Sequence, residues 1–264
     1  MYLRTLSLKV FFMSDEIRII PIRGIGEVRP GDDLAAMILA AATAEGKRIE
    51  SGDILVVTQK VVSKAEGRLV DPETVEPSAF AHQIAATARK DAHYQEVVLR
   101  ESRRIVKMSN GVLITETHHG LICANSGVDE SNVAGGRVVC LLPEDSDRSA
   151  ANLRTVIAER TGVSLAVIIS DTFGRPWRDG QVNVAIGVAG MLSLSDYAGV
   201  DDPYGYTMHA TLIAVADEIA GAAELVMGKI DAVPVAIVRG FAYTPSDTAS
   251  ARQLLRDPRF DLFR

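Results

Sequence analysis

Three short stretches carry polar residues whose types suit chemistry at charged oxygen. In SLAVIISDTFGRPWRDGQ an apolar run delivers Asp171 and Thr172 to its carboxyl end, and Arg175 and Arg178 follow within one loop. A carboxylate beside a hydroxyl suits a hard cation such as Mg²⁺, and paired guanidinium groups bind phosphate or carboxylate as planar forks. A turn in which Asp171 caps local backbone groups and the arginines stay solvated fits the same residues. In HGLICANSGVDESNV, Asp129-x-x-Asn132 sets a carboxylate and an amide about one helical turn apart, a spacing that serves a shared face or an N-cap at Asp129 equally well. In VVTQKVVSKAEGR, Gln59 and Lys60 fall inside a run that reads as a strand apolar on both sides, and Lys64 follows just beyond it. Polar groups in a buried strand are costly unless they bind something. Carboxylates for a divalent ion together with Lys and Arg for phosphates make the charge inventory of phosphoryl chemistry, in which catalysis is mostly positioning and electrostatic stabilisation. No residue reads as an obvious covalent nucleophile, so the substrate would supply its own.

Other motifs are missing. Gly228-Lys229 lacks the earlier glycine and the following Ser or Thr of a P-loop, Gly24-x-Gly26 is followed by Arg29 where a dinucleotide fingerprint needs glycine, and there is no GxSxG elbow. His118 and His119, adjacent on a strand, would point to opposite faces and could not chelate one ion together.

The elements that must position these residues sit in a chain of 264 residues with 34 acidic and 28 basic side chains, a net charge of -6, and 47% hydrophobic but only 5% aromatic content. At about 150 residues per domain this is one large or two modest domains. The acidic balance excludes a nucleic-acid backbone as partner. Cys123 and Cys140 allow at most one bridge and no four-cysteine zinc site, and they read as buried thiols. Met1 to Phe12 fails as a targeting segment because Lys9 interrupts its apolar run; residues 1–16 read as an extension outside the core, with Met13 a second plausible start. The charge-free stretch Gln181 to Ser195 is shorter than the roughly 18 to 20 apolar residues of a spanning helix, so a soluble, cytoplasmic protein with no membrane association is expected.

Ile17 to Ile22 reads as a first strand ending in a Gly-rich turn. Asp32-Asp33 caps a helix that stops at Gly46, and the run from Ile54 reads as a buried strand. Helices are expected over Pro77 to Lys90, Tyr94 to Arg104, Asp147 to Arg160 and Thr211 to Met227, with a short one from Ser246 to Arg256. Strands are expected over Val112 to Thr117, Gly120 to Asn125, Arg137 to Leu142, Ser164 to Ser170 and Val233 to Val238. Mixed without strict alternation, these elements favour an α+β fold of mixed sheets with helices over a doubly wound sheet.

At these same segments the sequence resembles the coenzyme F420-0:L-glutamate ligases. GDILVVTQKVVSKAEGR, HGLICANSGVDESNV, LLPEDSDRSA, IISDTFGRPWRDGQ, VADEIAGAAELVMGK and PVAIVRG look like that family's blocks, in its order, from about Ile17 to Phe241. The resemblance implies a GTP-dependent ligase that joins L-glutamate to F420-0 through an acyl phosphate, with further γ-linked glutamates in many members. It implies Mg²⁺ or Mn²⁺, with K⁺ as a further cation, and a homodimer of a two-part α+β architecture in which residues 17–264 form the ligase domain, with two subdomains. By the same route Ile25, Gly26, Glu27, Val28, Gln59, Lys60, Lys64 and Asn132 lie at GTP, with Met227, Gly228, Lys229, Ile230, Asp231, Ala232 and Val233 beside it. Asp129, Asp171 and Thr172 are metal positions, and Asp171, Lys64 and Arg175 carry the catalysis. One departure is Lys229, which stands where the family's archaeal pattern has an acidic metal-binding residue; an ammonium cannot ligate Mg²⁺, so either a second ion is held differently, with Glu224 or Glu218, or Lys229 meets a phosphate directly. The flavin-binding domain fused to some bacterial members is not expected in this chain, and neither is FMN. Two alternatives share these residues: a nucleotide- and metal-dependent ligase on another carboxylate acceptor, and a non-catalytic protein that holds F420 or GTP.

Overall fold

The longest β-branched runs form the middle of a sheet, as their composition favours. The computed structural model describes residues 16–88, 90–109, 111–130 and 138–261. Its elements begin with β1 (Arg18–Ile22), α1 (Leu34–Ala44), β2 (Ile54–Thr58), α2 (Gln59–Ala65), β3 (Leu69–Val70), α3 (Ala79–Ala88), α4 (Ala92–Arg100), β4 (Ser102–Ser109), β5 (Val112–Thr117), β6 (Ile122–Ala124) and β7 (Val139–Cys140). They continue with α5 (Ser146–Thr161), β8 (Ala166–Arg175), β9 (Arg178–Met191), β10 (Ser195–Asp196), β11 (Leu212–Ile213), α6 (Val215–Met227), β12 (Val235–Arg239) and β13 (Pro245–Ser246). The fold is α+β, with several mixed or antiparallel sheets. Among the described residues, no helix is long and apolar enough to cross a membrane.

A six-stranded sheet in the order β1-β12-β2-β8-β9-β13 forms the centre. β2 and β8 are parallel, and the other neighbours are antiparallel. Helices cover both faces, so the two central strands are apolar throughout and need no alternation. On one face Leu55, Val57, Val167 and Ile169 pack with Ile38 of α1 and Ile157 of α5. On the other, Ile54, Val56 and Ile168 pack with Ala216, Ala220 and Ala223 of α6. Burying each such Ile, Leu or Val contributes about 1.5–3 kcal/mol. Gly187 in β9 allows the closest approach: a Cβ there would lie 2.3 Å from the Ser146 carbonyl oxygen, so the start of α5 rests on bare backbone. A second layer pairs β4, β5 and β6 in that order. With α3 and α4 it encloses a separate cluster that includes Ile84, Tyr94, Val97, Val98 and Leu113.

Several expectations are corrected. Gln59 and Lys60 do not continue a strand: β2 ends at Thr58 and the chain turns into α2, where Val62 sinks into the core and the Ser63 hydroxyl donates to Gln59 Oε1 at 2.9 Å. The strand expected to stop at Ser170 runs on to Arg175, because β9 pairs with it through Asp171↔Val184 and Thr172↔Asn183. Arg175 and Arg178 are therefore partners across a hairpin, not two sites on a loop, and Trp177 takes a left-handed φ of 57° at its tip. α4 ends at Arg100, with β4 following where helix was expected, and α6 starts only at Val215. The C-terminal helix reduces to a single 3₁₀ turn, Ala251–Leu254. His118 and His119 follow β5 rather than lie in it, and each offers Nε2 to a backbone carbonyl. The extension expected over residues 1–16 lies outside the described residues except for Glu16.

Candidate active site

Strand register gathers the charged segments. β2 and β8 run parallel with Thr58 beside Ser170, so Gln59-Lys60, just past β2, and Asp171-Thr172, where β8 outruns the parallel pairing, emerge side by side. β12 runs antiparallel to β2, with Val235 opposite Val57, so the segment that precedes it, Met227 to Val233, arrives at the same edge. β1 is antiparallel to β12 with Ile22 opposite Val235, and the turn after it, Ile25 to Val28, leaves from that edge too. Four chain segments far apart in sequence thus meet where the parallel pair ends, the place where open sheets with parallel strands commonly bind ligands.

The helical turn of α2 puts Lys60 and Lys64, four residues apart, on one face. Lys60 Nζ lies 2.7 Å from Asp129 Oδ2. Asp129 is extended, not helical, and its backbone exchanges two hydrogen bonds with Cys140, N–H to O at 2.9 and 2.8 Å. Lys64, 7% exposed, pairs at 2.6 Å with Glu27, whose side chain is 67% exposed. Glu27 belongs to the turn after β1, where Ile25 and Val28 are buried as anchors, Gly26 and Glu27 face outward, and Gly24 supplies a φ of 77°.

Asp171 faces this group. Burial pushes its carboxyl up from 3.8 to about 6; the Thr172 amide, donating to Oδ1 at 2.8 Å, opposes that, Asp129 adds to it, and Lys60 and Lys229 counteract it. Successive strand residues point to opposite faces, and Thr172 accordingly engages α6. Its hydroxyl donates to Asn183 Oδ1 at 2.7 Å, and Asn183 Nδ2 donates to Glu224 Oε2 at 2.8 Å. Lys229 Nζ lies 2.9 Å from Glu224 Oε1 and donates to Thr172 Oγ1 at 2.5 Å. The two thiols nearby are inert: burial pushes Cys123 up to about 12 and Cys140 to about 11.

Not every candidate comes to this edge. Arg175 lies further along β8, about 13 Å from Asp171 at ~3.3 Å per residue, and its Nη2 donates to the Asp179 carbonyl of its own hairpin. Arg178 is exposed at the same tip. Met227 is fully buried in the core and Val233 nearly so, while Ile230 is 93% exposed and the chain between them, including Gly228, Asp231 and Ala232, lies at the surface. Asn132 lies outside the described residues. Asn183 escaped the sequence reading, although an amide at an otherwise apolar position of QVNVAIGV was a visible signal, since a buried amide demands partners. Glu224, named from the sequence only as an alternative holder of a second ion, meets both Asn183 and Lys229.

Among the described residues no group of three or more His, Cys, Asp or Glu is arranged to hold a metal. The carboxylates of Asp129 and Asp171 are nevertheless hard oxygen donors, and their mutual repulsion is what a cation would relieve. Mg²⁺ is commonly held by one or two carboxylates plus substrate phosphates, so these residues fit such an ion arriving with a phosphorylated ligand.

An edge that joins two carboxylates, clustered ammonium groups and a glycine-bearing turn has the charge inventory of a site for an anionic ligand and its counter-ion. The sequence matches the family described as F420-0:Gamma-glutamyl ligase over residues 23–240, and the chain belongs to that family. It is 45% identical over 252 residues to the coenzyme F420:L-glutamate ligase of Methanopyrus kandleri, covering 94% of this chain and 98% of that one. It is 43% identical to the protein of the same name from Methanothermobacter thermautotrophicus, covering 94% and 99%, and 44% identical to that of Methanocaldococcus jannaschii, covering 82% and 86%.

Proposed function

We propose that this protein joins L-glutamate to F420-0, with further γ-linked additions, and that GTP drives the reaction in the presence of Mg²⁺ or Mn²⁺, with K⁺ as a further cation. The observation that carries this is the meeting of Lys60, Lys64, Asp129, Asp171 and the turn at Ile25 to Val28 at one sheet edge, in a chain whose relatives bear the ligase name. Lys60 and Lys64 take the phosphate oxygens, and the exposed backbone at Gly26 approaches the nucleotide closely because no side chain intervenes. Asp129 and Asp171 would hold the divalent ion, which would offset phosphate charge during γ-phosphoryl transfer; Thr172, the third expected metal position, lies on the opposite face of β8 with its hydroxyl on Asn183. The terminal carboxylate of F420-0 attacks the γ-phosphorus and the bond to GDP breaks, giving an acyl phosphate. The glutamate amine attacks the acyl carbon, phosphate leaves, and the nitrogen gives up its proton as the amide forms.

Arg175, at the hairpin tip, binds an anionic part of a substrate that extends along β8. We further propose a homodimer, since Trp177 and Tyr204, 80% and 96% exposed, are apolar surface that a second copy would cover. The test is incubation of purified protein with F420-0, GTP, Mg²⁺ or Mn²⁺ and L-glutamate. The expected product is heavier by one glutamyl residue, with one GDP released per addition; absence of any mass increase under these conditions rejects the assignment. Substituting ATP for GTP in the same assay tests the nucleotide.

A further inference from the structure

Lys229 closes a circuit of oxygen donors on the α6 side of β8. Its ammonium meets Glu224 Oε1 at 2.9 Å and Thr172 Oγ1 at 2.5 Å, Thr172 donates to Asn183, and Asn183 donates back to the other oxygen of Glu224. Donor chemistry fixes the polarity, because an ammonium can only donate and a carboxylate can only accept. Thr172 spends its only proton on Asn183, so its lone pairs face Nζ, and Glu224 presents one oxygen to the amide and the other to the ammonium. A carboxylate and a hydroxyl oxygen aimed at one point are the donors a hard cation takes, and here a tethered ammonium supplies the cation. Within this circuit the charges of Glu224 and Lys229 cancel. Across β8, Asp171 feels the charges of Asp129, Lys60 and Lys229, and Lys60 meets Asp129 at 2.7 Å.

We propose that the Lys229 ammonium is a built-in cation, filling the position between Glu224 and Thr172 that an ion would otherwise occupy, so that the site takes one divalent ion with its nucleotide rather than two. This rests on the metal and nucleotide reading above. Lys229 is thereby a determinant of metal stoichiometry. Its side chain is 57% exposed, so its replacement should not unfold the chain.

The test counts bound Mn²⁺ from the loss of the free-ion electron paramagnetic resonance signal, with a non-hydrolysable GTP analogue at saturation. Wild type should bind one Mn²⁺ per chain, and Lys229→Glu and Lys229→Ala should bind two, with circular dichroism unchanged. Ethylammonium added to Lys229→Ala should expel the second ion and restore the count to one. Two ions in wild type, or one in both variants, overturns the inference and leaves the nucleotide–metal site standing. No Mn²⁺ retained by wild type with the nucleotide analogue overturns both.

Discussion

Glu27→Gln should tighten nucleotide binding, although it removes a charge from the turn that approaches the nucleotide. Lys64 is almost wholly buried and its Nζ is held at 2.6 Å by Glu27, so a phosphate oxygen that takes this ammonium must displace a carboxylate first. Because the Glu27 side chain is 67% exposed, the pair is worth at most about 1 kcal/mol. Relief of that competition lowers the Kd for GTP by up to about fivefold, at about 1.4 kcal/mol per tenfold. Lys64→Met keeps the packing of the aliphatic stem but loses a charge-assisted hydrogen bond of about 1.5–3 kcal/mol, so the Kd should rise roughly 10- to 150-fold. Since Glu27 acts only through Lys64, adding Glu27→Gln to Lys64→Met should change nothing further, a coupling that a double-mutant cycle reads directly. Isothermal titration with GTP and Mg²⁺ measures all four proteins. Weaker binding by Glu27→Gln alone, or a double variant in which the two effects simply add, refutes the displacement argument and makes Glu27 itself a nucleotide contact.

Asp171→Asn should lower turnover by at least about 100-fold, the scale on which removal of one preorganised electrostatic group acts. The amide oxygen can still accept from the Thr172 N–H and a buried charge is removed, so circular dichroism and the melting temperature of the unliganded protein should show no loss; retained turnover would exclude Asp171 from the site. At a distance from the site, His93 Nδ1 donates to the Val75 carbonyl at 2.9 Å, and this bond above all holds the imidazolium above its usual 6.5, against partial desolvation and with help from Glu73, Asp91 and Glu76. A raised folded-state pKa stabilises the fold fully below the unfolded value and loses that contribution as pH rises through the folded one. His93→Gln should therefore cost more stability at pH 6 than at pH 8, and equal losses at both would show that the histidine does not titrate with folding.

How far the sequence reveals this molecule depends on whether a feature is local. β2 and β8 were legible because a strand buried on both faces must be apolar throughout, and α1 because Asp33 accepts from the Ala36 N–H at 3.0 Å and Gly46 takes a φ of 67° just past its end. α2 was not. Its β-branched VVTQKVVSK stretch satisfies a strand pattern as well as a helical one, and so short a helix owes its stability to tertiary packing at Val62 and to the Gln59–Ser63 bond rather than to propensity. The continuation of β8 past Ser170 was hidden for a related reason: beyond that residue alternate side chains serve the site, so hydrophobicity stops while strand pairing does not.

The site itself lies at the limit of what a single sequence expresses. Lys60, Lys64, Asp129 and Asp171 could be picked out singly as polar groups beside apolar runs, but nothing in their spacing says that β12, the last long strand, inserts between β1 and β2. That insertion decides the chemistry. With β12 antiparallel to both neighbours, the end of β1, the end of β2 and the start of β12 fall on one edge; a parallel β12 would carry Lys229 to the far edge of the sheet, away from Thr172 and Glu224. The pairing is fixed by burial of Val235, Ala236, Ile237 and Val238 against both helical faces, residues that lie in the core. Polar substitutions on β12 should therefore disable the site through strand order, without altering any of the charged groups that meet there.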